Sequence, residues 1–198
     1  MDLIFNIDLF TLLKVAGYIG LFSIIFAESG LFFGFFLPGD SLLFTAGLLA
    51  SQGYFNIFYI LLLTIFGAII GDQVGYIFGK KVGPKIFTKQ DSFFFKKEYI
   101  LKAKNFYEKY GKKTITLARF IPIIRTFAPI VAGVAEMEYK TFLKYNILGG
   151  FIWGGGVTLF GYFMGEIIPN ADTYLLPTVI IIIIISLLPP IISYLRNK

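Results

Sequence analysis

Residues 28–47 read ESGLFFGFFLPGDSLLFTAG, and two charged residues, Glu28 and Asp40, stand twelve apart in a run that is otherwise almost wholly apolar. Pro38-Gly39 comes immediately before the aspartate. A proline lacks an amide hydrogen and pushes the preceding residue out of α geometry, and glycine lets the chain reverse, so the pair ends one helix and starts another. Together with its flanks, 17–53, the stretch predicts a re-entrant helical hairpin that enters and leaves a bilayer on one side. The competing form is a single helix kinked at Pro38. The charge beside the break favours the hairpin, because non-helical backbone at membrane depth survives only inside protein or beside water.

The composition supplies the bilayer. Over 198 residues, 57% are hydrophobic and 15% charged, with a mean hydropathy of +0.77, which is far from a soluble domain. The chain has no Cys and no His. Disulfides, thiolate zinc sites, Ser-His-Asp or Cys-His nucleophile pairs and imidazole proton relays are therefore excluded. Asp2 and Asp8 stand where a secretory signal has basic residues, and no cleavage site follows, so the segment 1–16 is expected to remain as an interfacial stretch.

Charge-free runs locate the spans: 31 residues over 41–71, 21 over 145–165 and 23 over 173–195. A helix crosses the hydrocarbon with roughly 20 residues. The first run is too long for one span, and Ser51-Gln52-Gly53 offers a surface turn within it. The expected spans are therefore 54–79, 139–166 and 173–195, the last with Pro189-Pro190 distorting its end.

Residues 114–138, TITLARFIPIIRTFAPIVAGVAEME, repeat the hairpin design with Pro122, Pro129 and the embedded charges Arg119 and Arg125. Ala46-Gly47 reappears as Ala132-Gly133, and Gly75-Tyr76-x-x-Gly79 as Gly161-Tyr162-x-x-Gly165, both at an offset of 86. Two matches at one offset suggest an internal repeat. Each half is then a hairpin, which crosses nothing net, plus one span, so the second half is inverted relative to the first, as in transporters. The expected fold is an all-α integral membrane protein: an inverted repeat of re-entrant hairpin plus transmembrane helix, with an additional C-terminal span.

Of the 18 Lys and Arg, 11 lie within 80–113 against three acids, giving +8 there and −2 elsewhere. With this basic loop in the cytoplasm, Lys140, Lys144, Arg196 and Lys198 fall inside too, and only Lys14 is left outside, as the positive-inside rule requires. Membrane orientation and anionic headgroups account for the patch, and no nucleic-acid partner is expected. The loop's aromatic and aliphatic residues among lysines fit a helix in the headgroup layer or a solvated one equally.

A charge at mid-bilayer costs about 2.5 to 3.5 kcal/mol even on the lenient insertion scale. Glu28, Asp40, Arg119 and Arg125 therefore need compensation or purpose. If the hairpin tips meet, the two acids neutralise the two bases and leave a site that can open. The bland form is a fixed ionic lock between the halves, or charges that snorkel to the interfaces. The functional form has Arg119 and Arg125 receiving an anionic headgroup such as phosphate, helped by helix N-termini at the breaks, while Glu28 or Asp40 exchanges protons. Pro38, Gly39, Pro122, Asp72 and Asn146 support this site; Asp72 equally fits a helix-end carboxylate paired with Lys80 or Lys81, and Asn146 is expected to bond across helices. The many glycines of 67–83 and 149–165 read as close helix contacts, and Trp153 as a core or lipid-facing aromatic. No metal or cofactor is expected.

With these residues aligned, the chain resembles the DedA family of bacterial membrane proteins, related to the VTT or SNARE-associated domain of eukaryotic lipid scramblases. The resemblance rests on Glu28 and Asp40 in PGDSLL, Ala46-Gly47, GDQVGYIFGKKVG at 71–83 and ARFIPIIRTFAPIVAGVAEMEYKTFLKYNILGGFIW at 118–153. Ala118 and Ile123 stand where many members have glycine. The resemblance implies lipid transport across the cytoplasmic membrane, notably return of undecaprenyl phosphate, together with envelope integrity and proton-dependent resistance, and it implies that Glu28, Asp40, Arg119 and Arg125 are essential. A proton-coupled exporter or cation antiporter is the alternative. A lipid phosphatase lacks the usual His and a carboxylate metal cluster, so no enzyme is expected. The cargo, passive or driven transport, and oligomeric state stay open.

Overall fold

The computed structural model describes residues 9–31, 34, 37–87, 107 and 113–167. These form helices and turns without a strand. In chain order the helices are α1 (Leu9–Gly30), α2 (Gly39–Ser51), α3 (Ile57–Phe87), α4 (Thr114–Ala118), α5 (Pro122–Val134) and α6 (Tyr139–Ile167), the last containing a π-helical turn at Phe151–Gly155. Among the described residues, two stretches are long and apolar enough to cross a membrane: Ile57–Val82, 26 residues with mean hydropathy 2.0, and Tyr139–Ile167, 29 residues with 1.4. At 1.5 Å per residue each spans about 40 Å, more than the ~30 Å hydrocarbon core. The N-terminal segment before Leu9, most of the basic loop and the third expected span, 173–195, lie outside the described residues.

The helix boundaries follow the local chemistry. α1 kinks at Gly17, whose φ of 55° and ψ of −153° suit only glycine. α2 starts directly after Pro38, and Gly53, with φ 79°, closes the turn that leads to α3. α3 begins at Ile57 and runs on through exposed Lys80 and Lys81 to Phe87, rather than stopping at Gly79. Gly79 does not stop it, since an isolated glycine costs a helix only about 1 kcal/mol, and Pro84 comes only in its last turn. Between α4 and α5 the chain leaves helical geometry at Ile121, φ −120° and ψ 108°, because Pro122 forbids a helical predecessor and then serves as the first residue of α5.

Packing crosses between the halves. α1 lies on α3, while α2 lies on the C-terminal part of α6 and α5 on the second half of α3. Each half thus lends its post-break helix to the long helix of the other. Glycines make both seams. A Cβ on Gly47 or Gly161 would drive into the backbone of Thr158 or Phe44, and one on Gly133 or Gly79 into that of Tyr76 or Ile130. Small residues permit the backbone approach that holds helices together where water is absent.

Two apolar clusters back the seams, one around Leu21, Ile25, Leu42, Leu43, Leu49, Ile60 and Trp153, the other around Tyr76, Ile115, Ala132 and Phe142. Tyr76 stacks on Phe142 with ring centroids 4.4 Å apart. On the outside, Phe58, Phe66, Phe78, Phe151, Phe160 and Phe163 are at least half exposed. So much exposed aromatic surface suits acyl chains, not water.

Candidate functional site

The chain breaks of the two halves meet inside the bundle. The first break carries acids, with Glu28 near the end of α1 and Asp40 in the first turn of α2; the second carries bases, with Arg119 closing α4 and Arg125 one turn into α5. Asp40 at a helix N-terminus is favourable for the dipole, whereas Arg125 near one is not. Its position there answers to the acids opposite.

Arg125 is the hub. Its Nη1 donates to Asp40 Oδ1 at 2.9 Å and its Nη2 to Glu28 Oε1. Glu28 is wholly buried and also accepts from the Gly39 amide at 3.2 Å. This contact explains the glycine: a Cβ at position 39 would coincide with the Glu28 carboxyl group. Asp40 is the one acid of the cluster with access to solvent, its side chain 26% exposed against 0% for Glu28 and 5% for Arg125. The mouth of the site is therefore at Asp40.

Trp153 belongs to the site, contrary to its reading as a packing aromatic. It is 1% exposed, its Nε1 donates to Asp40 Oδ1 at 2.7 Å, and its ring lies under Arg125 at 4.9 Å and near Arg119 at 5.9 Å. The π-helical turn at Phe151–Gly155 carries it. Such turns reset side-chain direction within a helix and recur at functional sites. A tryptophan flanked by glycines, GGFIWGGG at 149–156, was the available signal.

Arg119 lies deeper and has a separate partner. It does not pair with Glu28 or Asp40; its Nη2 donates to Asp72 Oδ2 at 2.6 Å, Asn146 Oδ1 at 2.6 Å and the Ala68 carbonyl at 3.2 Å. Asp72 accordingly does not pair with Lys80 or Lys81. It sits mid-helix in α3, 2% exposed, and those lysines lie two turns on at the surface. Asn146 does bond across helices, and its Nδ2 donates to the Ile69 carbonyl at 3.0 Å. The cluster then holds three carboxylates for two guanidiniums, not the two-for-two balance expected from the breaks alone.

Among the described buried atoms, Glu28 Oε2, Arg119 Nε and Arg125 Nε have no hydrogen-bond partner. Pro38 and Pro122 set the breaks that place these groups, and Gly149 makes space for Arg119, since a Cβ there would lie 2.7 Å from its Cδ. The result is a buried pair of guanidiniums joined by an indole face, with unused donors and with Asp40 as the most exposed member of the cluster.

Comparison with other proteins agrees with the sequence motifs. The VTT domain family matches residues 37–163, which takes in both breaks and Trp153. Protein DedA of Escherichia coli K12 is 43% identical over the whole of this chain and 93% of its own length. A membrane protein of Mycobacterium tuberculosis H37Rv is 46% identical over 89% of this chain and 78% of that protein. The inner membrane protein YqjA of Escherichia coli K12 is 32% identical over 75% and 68%. No solved structure matches.

Proposed function

This chain belongs to the DedA family of VTT-domain membrane proteins, and on that footing we propose that it moves an anionic lipid, undecaprenyl phosphate foremost, across the cytoplasmic membrane. One observation carries the proposal: two buried arginines, each held by carboxylates from the opposite half, converge where both chain breaks meet. A planar guanidinium suits a phosphate, and in a dry site the attraction is far stronger than in water. The headgroup enters at Asp40, reaches Arg125 and then Arg119, while the acyl chains stay in the lipid beside the exposed phenylalanines. Glu28, released from Arg125 by the arriving anion, takes up a proton, because an ionised buried carboxylate without its counter-ion is costly, while Asp40 pairs with Arg125 at the opening. The chain does no covalent chemistry on the lipid.

The crossed packing of α2 on α6 and α5 on α3 supports an inverted repeat of two re-entrant hairpins, and the lysine excess of 80–113 supports placing the basic loop and C-terminus in the cytoplasm. Rocking of one half against the other would expose the site to each side in turn.

A proton-coupled exporter or cation antiporter is favoured by one feature, the partnerless Glu28 Oε2, which is free to hold a proton or cation. Proteoliposomes separate the two. The lipid reading expects translocation of labelled undecaprenyl phosphate that is lost in Arg119→Ala and Arg125→Ala; flux of soluble cations driven by a pH gradient, with no lipid movement, would replace it by the antiporter.

A further inference from the structure

We propose that Asp72 is a resident anion: it occupies on Arg119 the place a phosphate monoester takes during transport, and exchange between the two is a step of the cycle. The inference rests on the lipid-transport reading and assigns Asp72 a task within it.

The geometry of Arg119 points this way. A guanidinium frequently offers a carboxylate its fork, two parallel N–H groups to two oxygens, and that is its strongest pairing. Here Asp72 takes a single corner. One nitrogen, Nη2, serves Asp72, Asn146 and the Ala68 carbonyl together, although it carries only two hydrogens, while the buried Nε is left without a partner. The pair is thus held, but below what an arginine can give. A phosphate has more oxygens and more charge than a carboxylate, so it gains at the unused Nε edge what Asp72 does not collect. Gly149 stands against that edge, where a Cβ would lie 2.8 Å from Nε, so the exchange requires α6 to give way there.

Asp72 also comes from the rigid middle of a spanning helix, not from a break, so it returns to Arg119 as soon as the anion leaves. Without such a competitor a buried arginine would keep the phosphate. The indole of Trp153, within 5.9 Å of both guanidiniums, joins the Arg125 station at the mouth to this inner one.

The test uses the full chain in phosphatidylcholine nanodiscs, with dioctanoyl phosphatidic acid and inorganic phosphate as probes, and measures affinity beside lipid translocation in proteoliposomes. Asp72→Asn keeps the shape and removes the charge. It is expected to bind the phosphate probe about tenfold more tightly and to turn over about tenfold more slowly, since loss of a charged competitor is worth that factor. Asp72→Glu should restore both. Asn146→Asp adds a second anion on Arg119 and should weaken binding by a similar factor, an arm that does not depend on Asp72→Asn folding. A response to phosphatidic acid alone supports the exchange with a lipid headgroup as the anion, and an equal response to inorganic phosphate supports it with free phosphate. Parallel loss of binding and turnover in Asp72→Asn, or unchanged affinity in Asn146→Asp, overturns the exchange and leaves Asp72 a positioning residue. Binding and translocation indifferent to Arg119→Ala and Arg125→Ala would instead overturn the transport reading beneath it.

Discussion

Arg125 is where the two halves of the molecule depend on each other most, because one side chain balances Glu28 and Asp40 together. Removing one partner of a buried ionic cluster costs about 3 to 5 kcal/mol, since the abandoned charges stay in the interior. Arg125→Ala should therefore lower the thermal unfolding temperature in detergent as well as abolish transport, while Arg125→Ala combined with Glu28→Gln and Asp40→Asn should recover much of the stability and none of the transport. Trp153→Phe keeps the ring beneath the guanidiniums but takes away the donor to Asp40. Asp40 Oδ1 keeps its bond from Arg125 Nη1 and is partly solvated, so stability should fall by about 1 kcal/mol, the net worth of one hydrogen bond, with transport reduced and not lost. At this scale the sequence exposed the ions by their improbability: a charge amid leucines and phenylalanines is conspicuous wherever it folds. Their pairing was hidden, because Asp72 lies in an amphiphilic-looking run beside lysines and only the packing of α3 against α5 and α6 brings it to Arg119. Trp153 was hidden for the opposite reason, being one aromatic in a chain with 24 Phe and 12 Tyr.

Helices here are positioned by what glycine leaves out. The Gly39 amide touches Glu28, and any Cβ there would overlap the carboxyl group, so Gly39→Ala should displace Glu28 and eliminate transport even though alanine is the better helix former. Gly149→Ala should act the same way on Arg119, whose Cδ stands 2.7 Å from the added carbon. Gly156, on the same helix with nothing within 4 Å of a built Cβ, supplies the control: Gly156→Ala should leave transport intact and stabilise by a few tenths to 1 kcal/mol. Thermal unfolding and lipid translocation measured on all three check the set. The breaks themselves were legible, since Pro38-Gly39 and Pro122 announce helix starts by stereochemistry alone. The length of α3 was not, because charged residues signal the edge of a bilayer and not the end of a helix, so Lys80 and Lys81 mark the former while the helix continues.

For the whole molecule, the exchange of helices between halves means that neither half packs its post-break helix without the other. The offset of 86 residues in the glycine motifs foreshadowed this, because Gly47 and Gly133 sit at corresponding places on the two seams. Which helix each seam joins was beyond the sequence, since a small residue states that something comes close and not what. The absence of native cysteine makes the seams testable. A Cβ built on Gly165 lies 3.1 Å from that of Ser51, close to disulfide range. Ser51→Cys with Gly165→Cys should therefore cross-link α2 to α6 under oxidation, stop transport if the halves rock, and release it again on reduction. Unchanged transport in the oxidised form would place the moving element elsewhere.

The most direct measurement is the translocation of labelled undecaprenyl phosphate by the purified full chain in proteoliposomes, set against Arg125→Lys. Lysine keeps the charge and gives up the planar fork that meets Glu28 and Asp40 and is proposed to meet phosphate. If the buried guanidinium is what receives the headgroup, Arg125→Lys should fold, insert and move the lipid at least tenfold more slowly. Transport at the wild-type rate in that variant would contradict the account, since any positive charge would then do.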